Sequence, residues 1–306
     1  MADVVALTGA TGFIGGAVAR RLASVGWRVR ALVRTESAVA RLPSGVEPVR
    51  GDLAGLDDLR RLVDGARAAV HCAGTVRGAT ATDFRAANVE GVARLATAAA
   101  EQAGRLQLIL VSSLAARHPE LSPYADSKRA GERVLADAGV RAVVLRPPAV
   151  YGPGDVAIRP LLRCMARGIA PVLGSPDSRF SLVFVDDLAA AIVRLLEMSV
   201  DIDAPFEVHD GHPGGYTWDD VRAAMARWRG RPVRSVRISR RLLAVLAHGN
   251  VAAARLRRRR PMLTPGKVRE LSNRDWVCDN APLTAATGWT PRVDFDEGIR
   301  RTLGTP

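Results

Sequence analysis

Three polar side chains stand at a spacing that serves proton transfer. Ser112 and Ser113 close an apolar run, Leu106–Ser112, and eleven residues later Tyr124-Ala125-Asp126-Ser127-Lys128 opens a helical pattern. Positions four apart on a helix share a face, so Tyr124 and Lys128 point the same way. An ammonium near a phenol favours the phenolate and lowers its pKa, which a tyrosine working as acid and base near neutral pH requires. The plain structural alternative is an exposed Tyr–Lys pair. With three tyrosines and two lysines in the chain, such a pair beside a strand-end serine is an improbable coincidence.

A second group serves phosphate binding. Val4-Val5-Ala6-Leu7 reads as a short buried strand, and Gly9, Gly12 and Gly15 follow at once, before a run of helical composition, Ala17–Ala23. Strand, glycine turn and helix in this order form the first half of a dinucleotide site. Gly9 allows the tight turn, Gly12 lets backbone approach a pyrophosphate, and Gly15 lets the helix lie close to the strand. Thr11, Phe13 and Ile14 complete the turn, whose free N–H groups and helix dipole favour an anion. The second strand candidate ends at Val33-Arg34, where a site for NAD usually carries an acid. Arg34 suits a 2′-phosphate instead, so NADP(H) is favoured and NAD(H) kept open. Asp52 and Leu53 follow the third strand and serve the adenine, unless Asp52 only caps the next helix. Cys72, Ala73 and Gly74 follow the fourth strand and are assigned to the cofactor.

The elements that must position these groups alternate. Strand candidates Arg28–Val33, Val46–Arg50, Ala68–His71, Leu106–Ser112 and Arg141–Leu145 are separated by helical patterns, among them Leu56–Val63, Ala81–Gln102 and Ser122–Ala138. This builds a doubly wound parallel α/β sheet with ligands at the carboxyl ends of the strands. Residues 1–150 are expected to form the Rossmann-type dinucleotide domain, with a return segment near 181–198, and 151–306 mainly a smaller α/β substrate lobe. Ile158–Gly168 is a helix candidate, and Ile202–Val233 reads as loop-rich. His209 and His212 lack a third ligand and read as loop histidines, so no metal is expected.

The set Thr8–Gly15, Ser113, Tyr124–Lys128, Arg146–Asp155, Val185–Ala189, Gly288–Pro291 and Glu297–Ile299 resembles the extended short-chain dehydrogenases/reductases, the NAD-dependent epimerase/dehydratase superfamily. The resemblance spans nearly the whole chain. It implies catalytic roles for Ser113, Tyr124 and Lys128, with Lys128 also holding the nicotinamide ribose. It places Pro147 and Pro148 beside the nicotinamide, groups Val150 with the cofactor residues, and matches Asn88 to a polar position near the active site. A helix-capping or surface role for Asn88 is equally open. Where nucleotide-sugar epimerases carry Val-Tyr-Gly after the serine, this chain has Leu114–Arg117. Ala149 replaces a common Asn, and Phe180 stands where an arginine meets the sugar-nucleotide diphosphate, with Arg179 one step away. Each change removes a polar contact. The pattern suits a weakly polar carbonyl substrate and is similar to the 3β-hydroxysteroid dehydrogenase and dihydroflavonol reductase branch. The expected activity is hydride transfer between NADP(H) and a carbonyl or secondary alcohol. The alternatives are an NAD-retaining epimerase or dehydratase, and a redox-silent nucleotide-binding subunit.

Composition bounds the partners. The 306 residues are 48% hydrophobic and 25% charged, with a net charge of +13. Almost all the cations are arginines, read as scattered along the chain, and no nucleic-acid motif is visible, so no nucleic-acid partner is expected. Cys72, Cys164 and Cys278 lack metal-ligand spacing and read as reduced thiols of a cytoplasmic protein. Residues 239–260 join an apolar stretch to an arginine cluster, either a weak membrane-surface contact or a lobe helix with solvated arginines. A homodimer through the Ala81–Gln102 and Ser122–Ala138 helices is the expectation the resemblance brings.

Overall fold

The computed structural model describes residues 3–102, 106–198 and 204–305. Six strands come first: β1 (Val4–Thr8), β2 (Arg28–Val33), β3 (Val46–Arg50), β4 (Ala68–His71), β5 (Gln107–Val111) and β6 (Ala142–Arg146). Later come β7 (Ala149–Tyr151), β8 (Ile169–Leu173), β9 (Arg179–Phe180), β10 (Leu182–Phe184), β11 (Phe206–Glu207), β12 (Arg234–Ile238) and β13 (Asp275–Trp276). A seven-stranded parallel sheet runs β3-β2-β1-β4-β5-β6-β11, so the strand order reverses between β1 and β4. That reversal opens the crevice in which such folds bind ligands.

Helices α1 (Phe13–Ser24), α2 (Glu36–Val39), α3 (Leu56–Val63), α4 (Ala81–Arg85), α5 (Gly91–Ala100) and α6 (Pro123–Asp137) link the first six strands. Then follow α7 (Arg159–Ala166), α8 (Val185–Met198), α9 (Trp218–Arg229), α10 (Arg240–Leu256), α11 (Pro265–Ser272), α12 (Ala281–Thr287) and α13 (Phe295–Leu303). Alternate strand residues feed two apolar layers. Val5 and Leu7 face α1 and the returning α8, while Ala6 faces α3, α5 and α6. Because both faces are covered, a central strand such as Gln107-Leu-Ile-Leu-Val111 is buried throughout. Leu283 of α12 and Trp289 join the layer of α1 and α8. A third apolar cluster, with Tyr151, Met165, Phe184, Met225 and Phe295, forms the lobe.

Two elements differ from the sequence reading. The pattern Ala81–Gln102 is not one helix: α4 and α5 are joined by a π-helical turn, Ala86–Glu90. The stretch read as loop-rich contains the twelve-residue α9, started by a reciprocal Thr217–Asp220 capping box and stopped by Gly230 at φ +68°. Ile202 and Asp203 of that stretch lie outside the described residues.

Candidate active site

The end of β5, the start of α6 and the loop after β4 converge at the sheet's carboxyl edge. Ser113 caps a short 3₁₀ turn, Leu114–Arg117, and its Oγ accepts from the Ala115 amide at 3.2 Å. The Leu114 amide bonds the Pro147 carbonyl at 2.8 Å, which ties this turn to the chain beyond β6. Ser122 caps α6, and Pro123 occupies its first turn, where a missing N–H costs nothing. One residue further, the Tyr124 phenol lies close enough to the Ser113 hydroxyl to feel it electrostatically. Phe84 stands edge-on to the Tyr124 ring at 5.9 Å.

Burial pushes Tyr124 up to about 12; the nearby Ser113 hydroxyl opposes this and the Glu270 carboxylate adds to it. The net shift is upward, against the lowered phenol that the Tyr124–Lys128 spacing suggested. The Lys128 Nζ donates to the Val111 carbonyl at 3.1 Å, and burial brings the ammonium down to about 8, against the pull of Cys72 and Glu132. A phenol held protonated is suited to giving a proton, the role a carbonyl reduction asks of it.

One helical turn beyond Lys128, on the same face, Glu132 is buried and receives Arg146 through both carboxylate oxygens, at 2.9 and 2.5 Å. Ser112 donates to the same carboxylate at 2.5 Å. This network ties α6 to the ends of β5 and β6, and thereby fixes where Tyr124 and Lys128 point. The sequence reading missed it, although Glu132 lies four residues after Lys128, which marks a shared face.

The residues assigned to a nucleotide form a cradle. Gly9 has φ +78°, and a Cβ there would stand 2.6 Å from the Ala73 amide nitrogen. A Cβ on Gly15 would stand 2.1 Å from the Gly9 carbonyl oxygen, so only glycine lets α1 seat this close to the turn. Gly12, exposed, caps α1 without a side-chain hydrogen bond, and the first turn carries no acid. Thr11, Phe13 and Ile14 are half-buried beside it. A glycine cradle at a helix start with open amides fits a dinucleotide pyrophosphate. Thr8 links the turn to β4: its Oγ1 meets His71 Nδ1 at 2.9 Å and accepts from the Ala73 amide at 3.3 Å. Burial brings His71 down to about 3 and keeps its ring neutral. The Cys72 thiol is pushed up to about 12 by burial and is an inert wall.

Asn88 lies inside the π-helical turn, 3% exposed. Its amide donates to Ser127 Oγ at 2.9 Å and the Thr75 carbonyl at 3.0 Å, and accepts from the Thr75 amide at 2.9 Å. The surface alternative is therefore ruled out. Gly74 fits between Asn88 and Lys128: a Cβ there would lie 2.9 Å from Asn88 Oδ1 and 3.4 Å from Lys128 Nζ. At the far end of the crevice, Arg34 Nε lies 3.9 Å from Asp52 Oδ2, with the arginine side chain 77% exposed. Asp52 also accepts from the Ala54 amide at 2.9 Å, while Leu53 packs near Gly91. Val150 sits on β7, paired with Val183.

Lobe residues reach the same site. Glu270 of α11 accepts hydrogen bonds from Ser122 and from Lys267 Nζ, the latter at 2.7 Å. Lys267 Nζ stands 6.0 Å from the centre of the Tyr124 ring. Phe180 packs against Trp218 at 5.1 Å, whereas Arg179 bonds the Gly214 carbonyl. His209 accepts from the Gly211 amide through Nδ1, and His212 stacks on Tyr216 at 4.1 Å.

Comparison with known proteins gives these features relatives. Residues 5–208 match the model of the NAD dependent epimerase/dehydratase family. The chain is 39% identical to ceramide reductase of Caulobacter vibrioides, over 98% of this chain and 93% of that one. It is 29% identical to 2-alkyl-3-oxoalkanoate reductase of Stenotrophomonas maltophilia, over 96% and 97%. Among solved structures, UDP-glucuronic acid 4-epimerase from Bacillus cereus, in complex with UDP-glucuronic acid and NAD, superposes with a TM-score of 0.73. It is 18% identical and covers 98% of this chain and 97% of that one.

Proposed function

The chain belongs to the NAD dependent epimerase/dehydratase family, and within it we propose an NADP(H)-dependent reductase of a ketone on a weakly polar, lipid-like substrate. The observation that carries this reading is the closeness of the Ser113 hydroxyl to the Tyr124 phenol, on the same helix start that sends Lys128 to the loop after β4 beside Gly74. A nucleotide-binding subunit without chemistry has no need of it. Two relatives aligned over nearly their full length are named for the reduction of ceramide and of 2-alkyl-3-oxoalkanoates, both rich in hydrocarbon, which supports the substrate class.

The nicotinamide, when bound, supplies the hydride. Ser113 donates a hydrogen bond to the substrate's carbonyl oxygen and stabilises the charge that develops there. Tyr124 gives its phenolic proton to that oxygen, which completes the alcohol. Lys128 then offsets the negative charge left on the phenolate, since its ammonium faces the same crevice as a neighbour of Gly74 and Asn88. Glu132 and Asn88 hold α6 and the β4 loop so that these groups stay aligned. Arg34, largely exposed at the end of β2, would meet a 2′-phosphate, which supports the reading of NADP(H) over NAD(H).

The test combines cofactor and chemistry. Nucleotide released from the purified protein is identified, the emptied protein is titrated with NADPH and NADH, and NADPH consumption is followed with long-chain 3-oxo amides and 3-oxo acids. Tighter NADPH binding and ketone-dependent consumption are expected. Tyr124→Phe should lower kcat about 100- to 10,000-fold while leaving NADPH affinity unchanged. NAD retained through purification, with no net consumption of NADPH, would instead identify an epimerase or dehydratase.

A further inference from the structure

The positive charge is not scattered. Residues 221–269 hold fifteen of the 44 lysines and arginines and none of the 31 acids, so this stretch alone accounts for the chain's excess charge. At its centre lies α10, seventeen residues and about 25 Å long. One face is anchored: Leu243 and Ala247 are buried with Val268, against Leu173, Ile238 and Leu263. On the other face Leu242, Val245, Leu246 and Leu256 are 51%, 69%, 49% and 87% exposed. They recur at the three- and four-residue spacing that makes one stripe. Arg240 and Arg241 stand at one end of this stripe, and Arg255 and Arg257–Arg260 at the other. The Thr80 and Ala79 amides lower the Asp83 carboxyl pKa and nearby Arg260 adds to this, whereas the other six form no ion pair among the described residues.

We infer that α10 docks this protein on an anionic lipid surface. A bare aliphatic stripe with uncompensated arginines at both ends matches the acyl boundary below and the headgroup phosphates above. Nucleic acid fits less well, because Leu and Val occupy the middle of the basic surface and residues 229–275 contain no Phe, Tyr or Trp for base stacking. A second copy would bring arginine ends together and repel. Against a neutral-lipid surface the arginines would go unmatched. The docked face also borders a cleft of about 290 Å³ between Val251, Ala252 and Arg255 of α10, Pro265 and Ala79. Ala79 belongs to the loop that precedes Phe84, the ring standing on Tyr124. A lipid surface held here lies beside that cleft. The inference goes beyond the reductase reading and is tested without turnover.

The experiment is flotation of the full chain with phosphatidylcholine vesicles, with and without 30 mol% phosphatidylglycerol, across a salt series (the composition is about that of a moderately anionic membrane). The protein is expected to float with anionic vesicles, about tenfold or more over neutral ones, and less so as salt rises. The double variant Val245→Glu/Leu246→Glu should lose about tenfold or more of that binding while keeping its circular dichroism and melting temperature, because both side chains are exposed. Changing Arg257–Arg260 to Gln should remove most of the salt-sensitive part. Protein that stays in the aqueous fraction with anionic vesicles would overturn the inference. So would binding that the double variant leaves intact and duplex DNA competes away, which marks a polyanion site. Self-association abolished by the double variant, without vesicle binding, would assign the face to a second copy and overturn it as well.

Discussion

Lys128 shows how a single half-buried cation sets a pH limit. Its folded pKa is lowered from the ordinary lysine range to about 8, chiefly by burial, while Tyr124 is pushed up to about 12. As pH rises, the ammonium is therefore lost first, with the phenol still protonated. In the reducing direction kcat/KM should fall as pH passes about 8, through loss of the Lys128 charge rather than of the transferable proton. Lys128→Arg, which stays cationic, should carry that falling limb beyond pH 10 even if its maximal rate is lower (about pH 12 is the arginine's own limit). A limb that remains near 8 in the variant belongs to another group. At this scale the types and spacing of Ser113, Tyr124 and Lys128 were readable directly, since a helical period fixes which side chains share a face. What the phenol's surroundings do to it was not readable: burial leads the shift upward, the Ser113 hydroxyl opposes it, and Glu270 adds to it.

Elements announced themselves where local rules decide them. The sheet strands are apolar runs because both faces are covered, and Ser122-Pro123 signals the start of α6 through its cap. The Thr217-x-x-Asp220 box signalled α9 in the same way and was overlooked. By contrast, the π-helical turn that brings Asn88 inward leaves no mark in composition. It is set by contacts of Asn88 with Thr75 and Ser127 that only the folded chain brings together. The setting of α6 likewise rests on a long-range pair, buried Glu132 and Arg146. Removing one partner of such a pair strands the other charge, so Glu132→Gln should cost about 3–5 kcal/mol of stability. Arg146→Met with Glu132→Met should recover much of that loss in chemical denaturation, because the desolvation cost disappears with both charges. If both variants unfold at the parental denaturant concentration, Glu132 does not hold the helix.

The whole molecule adds a lobe that reaches back onto its own catalytic helix. Residues 148 apart meet where Ser122 donates to Glu270 and Arg269 donates to the Leu121 carbonyl at 2.7 Å. The loop after β4 is tied to the lobe by the Gly78 amide and the Pro261 carbonyl, at 3.0 Å. Contacts at such separation cannot be extracted from one chain's local patterns: the start of α6 was legible as a helix, whereas α11 was not singled out at all. Their consequence is electrostatic. The Glu270 carboxylate raises the Tyr124 pKa, so the lobe biases the phenol towards its protonated form. Glu270→Gln keeps an oxygen for Ser122 but removes the charge. The Tyr124 phenolate should then appear at lower pH in ultraviolet difference titration, measured against Tyr124→Phe to isolate its signal. Stability should drop by about 1 kcal/mol, because the lost ion pair with Lys267 is partly open to water. Glu270→Ala also removes the acceptor for Ser122 and should cost about 1–3 kcal/mol more. Equal phenol titration in the parent and the Gln variant would mean that the lobe braces α6 without influencing its chemistry. A downward shift with the fold intact would make the lobe part of the acid–base machinery.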